Sequence, residues 1–149
     1  MFNRILVVCT GNICRSPMAE FLLRQRLGQV EGLNVEVRSA GTGALVNHPA
    51  EETTAAMMQV KGLDLAAHRA TQLTIELSYW AELILVMEKH HRDAVMDMDP
   101  TARGKTFLLG HWIDREVPDP YRRGDEVHTR SMQIIEAALD PWVKKLTAR

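Results

Sequence analysis

Cys9 and Arg15 are separated by five residues, and Arg15 is followed at once by Ser16 and Pro17. Cysteine supplies a nucleophile when it is a thiolate, and arginine supplies a planar fork that holds two oxygens of a phosphoryl group at once. Between them lies Thr10-Gly11-Asn12-Ile13-Cys14. Gly11 and Asn12 are residue types that accept the left-handed conformations needed to curl consecutive backbone amides into a nest. Ser16 is expected as the N-cap of a helix and Pro17 as its first residue, so the helix dipole adds positive potential to the same loop. The segment therefore reads as a phosphate-binding loop that carries its own nucleophile, Cys9. It is not a nucleotide-binding Walker loop, because G-x-x-x-x-G-K-[ST] is absent and arginine takes the cationic role.

Each of these residues also has a plainer reading. An isolated cysteine after a strand is usually a small core residue, and it is the company of Arg15, Ser16 and Pro17 that favours chemistry at Cys9. An arginine at a helix start opposes the dipole, which disfavours Arg15 as a mere surface charge. Asp119 lies between Pro118 and Pro120 and by turn chemistry alone is a turn residue. His90 and His91 are adjacent and read as a solvated face, since neighbours on a helix do not converge on one ion and no H-x-x-x-H or C-x-x-C spacing occurs. No metal and no cofactor are expected. Met57-Met58 and the nearby Met96 and Met98 read as helix packing.

The loop has to be held by what flanks it. Ile5-Leu6-Val7-Val8 is a continuous apolar run of the kind that forms a parallel strand covered on both faces, over Arg4 to Val8, and Cys9 follows it directly. Further strands are expected at Val35 to Val37, Leu83 to Val86 and Thr106 to Leu109. Helical spacing fills the gaps: Met18 to Leu27 closed by Gly28, Ala50 to Lys61 closed by Gly62, Lys89 to Met98 closed by Asp99-Pro100, and Glu126 to Leu146 with an interruption or bend near Asp140-Pro141. This alternation implies right-handed crossovers and an α/β domain: four parallel strands, helices on both faces, flavodoxin-like, with the phosphate loop after strand 1. Ligands of such sheets sit beyond the carboxyl ends of the strands. The long irregular stretch Gly110 to Asp125, which contains Asp119 and Tyr121, is the second candidate region.

The chain of 149 residues fits one domain, 1–149, and a hydrophobic fraction of 46% with 25% charged residues matches an ordinary globular protein. A formal net charge of -1 without a basic run argues against nucleic acid as a partner. No apolar stretch is long enough to span a bilayer, and the amino terminus lacks a signal-peptide core, so a cytoplasmic location is expected. Cys9 and Cys14 are the only cysteines, and in a reducing compartment they suit reactivity better than a structural disulfide.

Val8-Cys-Thr-Gly-Asn-Ile-Cys-Arg-Ser-Pro-Met-Ala-Glu20, Ser39-Ala-Gly-Thr42 and Asp119-Pro-Tyr121 together resemble the low-molecular-weight protein tyrosine phosphatases over essentially the full length, most of all bacterial members that work opposite tyrosine autokinases of capsule or exopolysaccharide export. The resemblance implies roles. Cys9 forms a phosphocysteine that water hydrolyses, Arg15 grips the phosphate, and Asp119 protonates the leaving phenolate and then activates water. Ser16 bonds the nucleophile, while Asn12 holds the loop through a network with Ser39 and His68. Cys14 is the second loop cysteine, able to form a disulfide with Cys9 under oxidation or else merely filling space. Thr10, Gly11, Asn12, Ile13 and Cys14 contact substrate, and Leu45 and Tyr121 wall the cleft. Related arginine phosphatases have threonine where this chain has Ile13, which favours phosphotyrosine. The implied partner is a phosphotyrosine protein, a tyrosine autokinase, with the enzyme a monomer or weak dimer. Two rivals are an arsenate reductase, which needs further cysteines downstream of Cys14, and a catalytically idle binding module, which would lack the cysteine or the acid.

Overall fold

A run of four apolar residues can be hidden only by a sheet covered on both sides, and in the computed structural model, which describes residues 2–148, Ile5, Leu6, Val7 and Val8 are all fully buried. They lie in β1 (Arg4–Cys9), which pairs in parallel with β2 (Glu36–Gly41) on one side and β3 (Leu83–Val86) on the other. A short β4 (Thr106–Leu108) completes the sheet, in the order β2-β1-β3-β4. The register sets Cys9 opposite Gly41 and Val8 opposite Val86. The strand order reverses between β1 and β3, so the loop after β1 opens at the switch point where such sheets bind ligands.

Alternate residues of β1 serve the two cores. Ile5, Val7 and Cys9 face α1 (Arg15–Gly28) and α5 (Asp125–Leu146), with Met58 of α2 (Glu52–Val60) added to the same core. Leu6 and Val8 face α3 (Ile75–Trp80), α4 (Lys89–Met98) and the 3-10 segment Pro100–Lys105. The molecule is thus an α/β domain with an all-parallel sheet between two helical layers. Among the described residues no helix is long and apolar enough to cross a membrane.

Several boundaries differ from expectation for local reasons. Strand β2 continues through Arg38-Ser39-Ala40-Gly41, a polar and small-residue stretch recruited by backbone pairing with β1. The helix expected from Ala50 begins at Glu52, because the Glu51 carboxylate accepts from the N–H groups of Thr53 and Thr54 and caps it. Helix α3 was not foreseen: its six residues are too few for a periodic stripe, and its start is marked only by the Thr74 hydroxyl accepting from Leu77 N–H at 3.2 Å. Helix α5 runs through Asp140-Pro141 without the interruption expected there. Proline removes one helical donor, and Arg26 ties that turn from outside by donating to the Glu136 carbonyl and to Asp140.

Candidate active site

The loop between β1 and α1 is shaped from its outside. The carbonyls of Cys9, Thr10 and Gly11 accept from the N–H groups of Thr42, Gly43 and Leu45, and that of Ile13 accepts from Glu51 N–H, at 2.9–3.1 Å. The Asn12 carbonyl accepts from His68 Nε2 at 2.7 Å, and the Cys14 carbonyl takes the first helical bond, from Met18 N–H. Because each peptide is planar and trans, turning every carbonyl outward turns the N–H of the following residue inward. The amides of residues 10–15 therefore line a concave nest suited to an oxyanion. Only Asn12 takes a left-handed conformation there, with φ of 59°. Gly11 does not, contrary to expectation, and the glycine the loop depends on is Gly41, where a Cβ would stand 2.2 Å from the Thr10 carbonyl oxygen.

Helix α1 begins two residues earlier in the sequence than expected. Cys14 is its N-cap and Arg15 its first residue, so Ser16 is not the cap and Pro17 is not the first helical position. Pro17 still fits, as the third residue, because that N–H has no partner within a helix. Freed from capping, the Ser16 hydroxyl lies 2.9 Å from Cys9 Sγ and accepts from Asn12 Nδ2 at 2.7 Å. When Cys9 is a thiolate, which only accepts, the Ser16 hydroxyl is the donor of this pair. Asn12 is fully buried and fully used: Nδ2 also donates to Ser39 Oγ at 2.9 Å, Oδ1 accepts from Thr71 N–H at 2.8 Å, and its own N–H points at Cys9 Sγ from 3.3 Å. Ser39 donates onward to the buried Glu20.

Arg15 is 2% exposed, which removes the surface-charge reading. Nη1 pairs with Glu88 and donates to the Val117 carbonyl at 2.9 Å, while Nη2 reaches Thr10 Oγ1 at 3.5 Å and Asp119 at 3.8 Å. The Asp119 side chain, half exposed, accepts from Tyr121 N–H at 3.0 Å, so it is a turn former and a cleft residue together. A cavity of about 170 Å³ is lined by Cys9, Thr10, Gly11, Asn12, Ile13, Cys14, Arg15, Gly43, Leu45, Asp119 and Tyr121. Leu45 and Tyr121 are partly exposed at its mouth. Ser16, Ser39 and His68 stand behind it, through the bonds just given. Burial pushes the Cys14 thiol up to about 12, although Thr54 beside it acts in the opposite sense. Cys14 thus stays a thiol at neutral pH and Cys9 is the candidate nucleophile.

Two residues of this site escaped sequence reading. His91, expected on a solvated face, is fully buried: its Nδ1 accepts from Glu88 N–H at 3.0 Å, and its Nε2–H therefore donates to Thr10 Oγ1 at 2.8 Å. Burial, then Arg15 and His90, lower its pKa to about 3, so the ring is neutral. Glu88, two residues beyond β3 and the N-cap of α4, orients Arg15. Both follow a strand at the ligand-binding edge of the sheet, and that position was the signal available.

Residues 4–149 match the family described as low molecular weight phosphotyrosine protein phosphatase. The chain is 45% identical to a putative low molecular weight protein-tyrosine-phosphatase of Klebsiella pneumoniae, covering 99% of this chain and 100% of that one. It is 44% identical to Etp of Escherichia coli K12, over 98% and 96% of the two chains. The crystal structure of the tyrosine phosphatase Wzb from Escherichia coli K30 in complex with sulphate superposes with a TM-score of 0.91 at 46% identity, over 98% and 99%. The chain belongs to the low-molecular-weight phosphotyrosine protein phosphatase family. Within it, the protein is a tyrosine phosphatase of the bacterial Wzb and Etp type.

Proposed function

We propose that this phosphatase hydrolyses phosphotyrosine in two steps at Cys9, without a metal or cofactor. The observation that carries the reading is the cradle itself: loop amides facing inward around the position of Cys9, with Arg15 and Asp119 on the same cavity. The phosphate rests on those amides and on the Arg15 fork. Cys9 Sγ attacks phosphorus, the S–P bond forms, and the P–O bond to the phenol breaks. Phosphoryl transfer leaves charge on the equatorial oxygens, which the amides and Arg15 neutralise. Asp119 gives its proton to the phenolate, a leaving group with an ordinary pKa of about 10. In the second step Asp119 takes a proton from water, the water oxygen bonds phosphorus, and the S–P bond breaks. The Ser16 hydroxyl donates to the departing sulfur. Leu45 and Tyr121 flank the ring, and Ile13, where arginine phosphatases carry threonine, favours an aryl over a guanidino phosphate.

The substrate is a phosphotyrosine protein of the cytoplasm, and the resemblance to bacterial members of exopolysaccharide systems points to a tyrosine autokinase. With no cysteine after Cys14, an arsenate reductase's resolving step lacks its thiol. The test is phosphate release from phosphotyrosine, phosphoserine and phosphoarginine peptides in chelator and thiol. We expect release from phosphotyrosine, reduced to background in Cys9→Ser while peptide binding persists. Binding without release by the wild type would favour the idle module. Asp119→Ala should slow aryl phosphates with poor leaving groups by about 10²- to 10⁴-fold and spare good ones. Equal losses for all leaving groups would rule out a proton donor there.

A further inference from the structure

At Cys14, near the end of the phosphate loop, the N-terminal ends of three helices meet. Cys14 caps α1, Glu51 caps α2, and His128 stands in the first turn of α5. The thiol, one carboxylate oxygen and one imidazole nitrogen of this trio lie within 4.8 Å of one another. His128 is 98% buried, at 2% exposure. Its Nδ1 lies 2.8 Å from the Gly124 carbonyl, which only accepts, so Nδ1 carries the ring hydrogen. That leaves Nε2 as a lone pair in the neutral ring. Nε2 is 2.8 Å from Glu51 Oε2, yet it is buried without a hydrogen-bond partner. Two acceptors in this position need positive charge beside them, which either a second ring proton or a metal ion can supply.

We propose that Cys14, Glu51 and His128 form a binding site for one Zn²⁺ ion, separate from the catalytic cysteine. Sulfur, nitrogen and carboxylate oxygen at bond lengths of about 2.0–2.3 Å are the ordinary zinc donor set. At those lengths tetrahedral ligands stand about 3.5 Å apart, so His128 and Glu51, at 2.8 Å, must open slightly to admit an ion while the trio as a whole stays within 4.8 Å. The Nδ1–H···O=C bond to Gly124 is the outer contact that orients a zinc-bound histidine. On binding, Zn²⁺ forms a bond to Cys14 Sγ and the thiol proton leaves to solvent. The dication then meets one thiolate and one carboxylate, so the buried complex is neutral. The fourth position is left for water, since Cys14 also borders the cleft. The other close trio among the described residues, Glu88, His90 and His91, is unsuitable because Glu88 pairs with Arg15 and both nitrogens of His91 are already engaged.

The chain has only two cysteines, so Cys9→Ser protein carries Cys14 as its sole thiol. Zn²⁺ and Co²⁺ are titrated into that variant against a chromophoric chelator. We expect one equivalent bound, a sulfur-to-cobalt charge-transfer band with the visible intensity of four-coordinate Co²⁺, and one proton released per ion. His128→Gln in the same background should weaken binding by about 100-fold or more. Absence of the sulfur band, or unchanged affinity in His128→Gln, would overturn the site and leave the ring paired with Glu51 through a second proton. The cobalt spectrum needs no substitution within the trio, so a misfolded His128 variant does not obscure the answer.

Discussion

Asn12 shows how much one side chain carries here. It is fully buried, adopts φ of 59°, and spends its amide on Ser16, Ser39 and Thr71. The backbone and side-chain contributions separate in two variants. Asn12→Gly keeps the left-handed conformation open and loses only the bonds, whereas Asn12→Ala loses both. We expect both to lower kcat by about 10²-fold, since Ser16 is no longer aimed at Cys9. Chemical denaturation should find the alanine variant the less stable by about 1 kcal/mol. Equal stability would mean that the left-handed strain is negligible. At this scale residue type and spacing pointed to Cys9 and Arg15, and the family resemblance pointed to Leu45, Asp119 and Tyr121; all five line one cavity. It was illegible where a residue's partner lies far along the chain, as with His91, 81 residues beyond Thr10. Nothing local in His90-His91 says which of the two imidazoles is buried.

The elements were read well where hydrophobic pattern decides and poorly where hydrogen bonding does. Leu83–Val86 and Lys89–Met98 have the expected limits because apolar runs and spacing define them. The extension of β2 to Gly41 is owed to pairing with β1, and Cys14 rather than Ser16 caps α1 because Ser16 is drawn to the sulfur. The β2 extension matters to chemistry, since it brings Gly41 against the loop. A methyl group at Gly41 would meet backbone at 2.2 Å, an atom that no rotamer can move. Gly41→Ala should therefore displace the Thr10 peptide and lower kcat by about 10²-fold or more, with phosphate affinity falling in parallel. Unchanged phosphate binding in this variant would show that the loop yields without losing its shape.

For the whole molecule, pH acts on stability through the buried neutral histidine. His91 has a pKa of about 3 in the folded chain against an ordinary value near 6.5, so below about pH 6.5 the unfolded chain binds a proton that the folded one refuses. Stability is then complete above that pH and falls as the solution is acidified toward 3. Between pH 6.5 and 5 the loss from this group is about 2 kcal/mol. Urea unfolding at pH 7 and 5 should show this decrement in the wild type, and a smaller one in His91→Gln by that amount. Identical slopes would place the ring's protonation outside the folded core.

The outward carbonyls of the loop have one more consequence. Five of the six have partners brought in from beyond β1 and α1, namely Thr42, Gly43, Leu45, Glu51 and His68. The local bonds among Cys9, Asn12 and Ser16 are few, and most of the bonds that hold this curvature are remote in sequence. Catalytic competence is accordingly a late product of folding: a nascent or partly unfolded chain owns the cysteine and the arginine but no active site, and it stays chemically silent until the long-range order is complete.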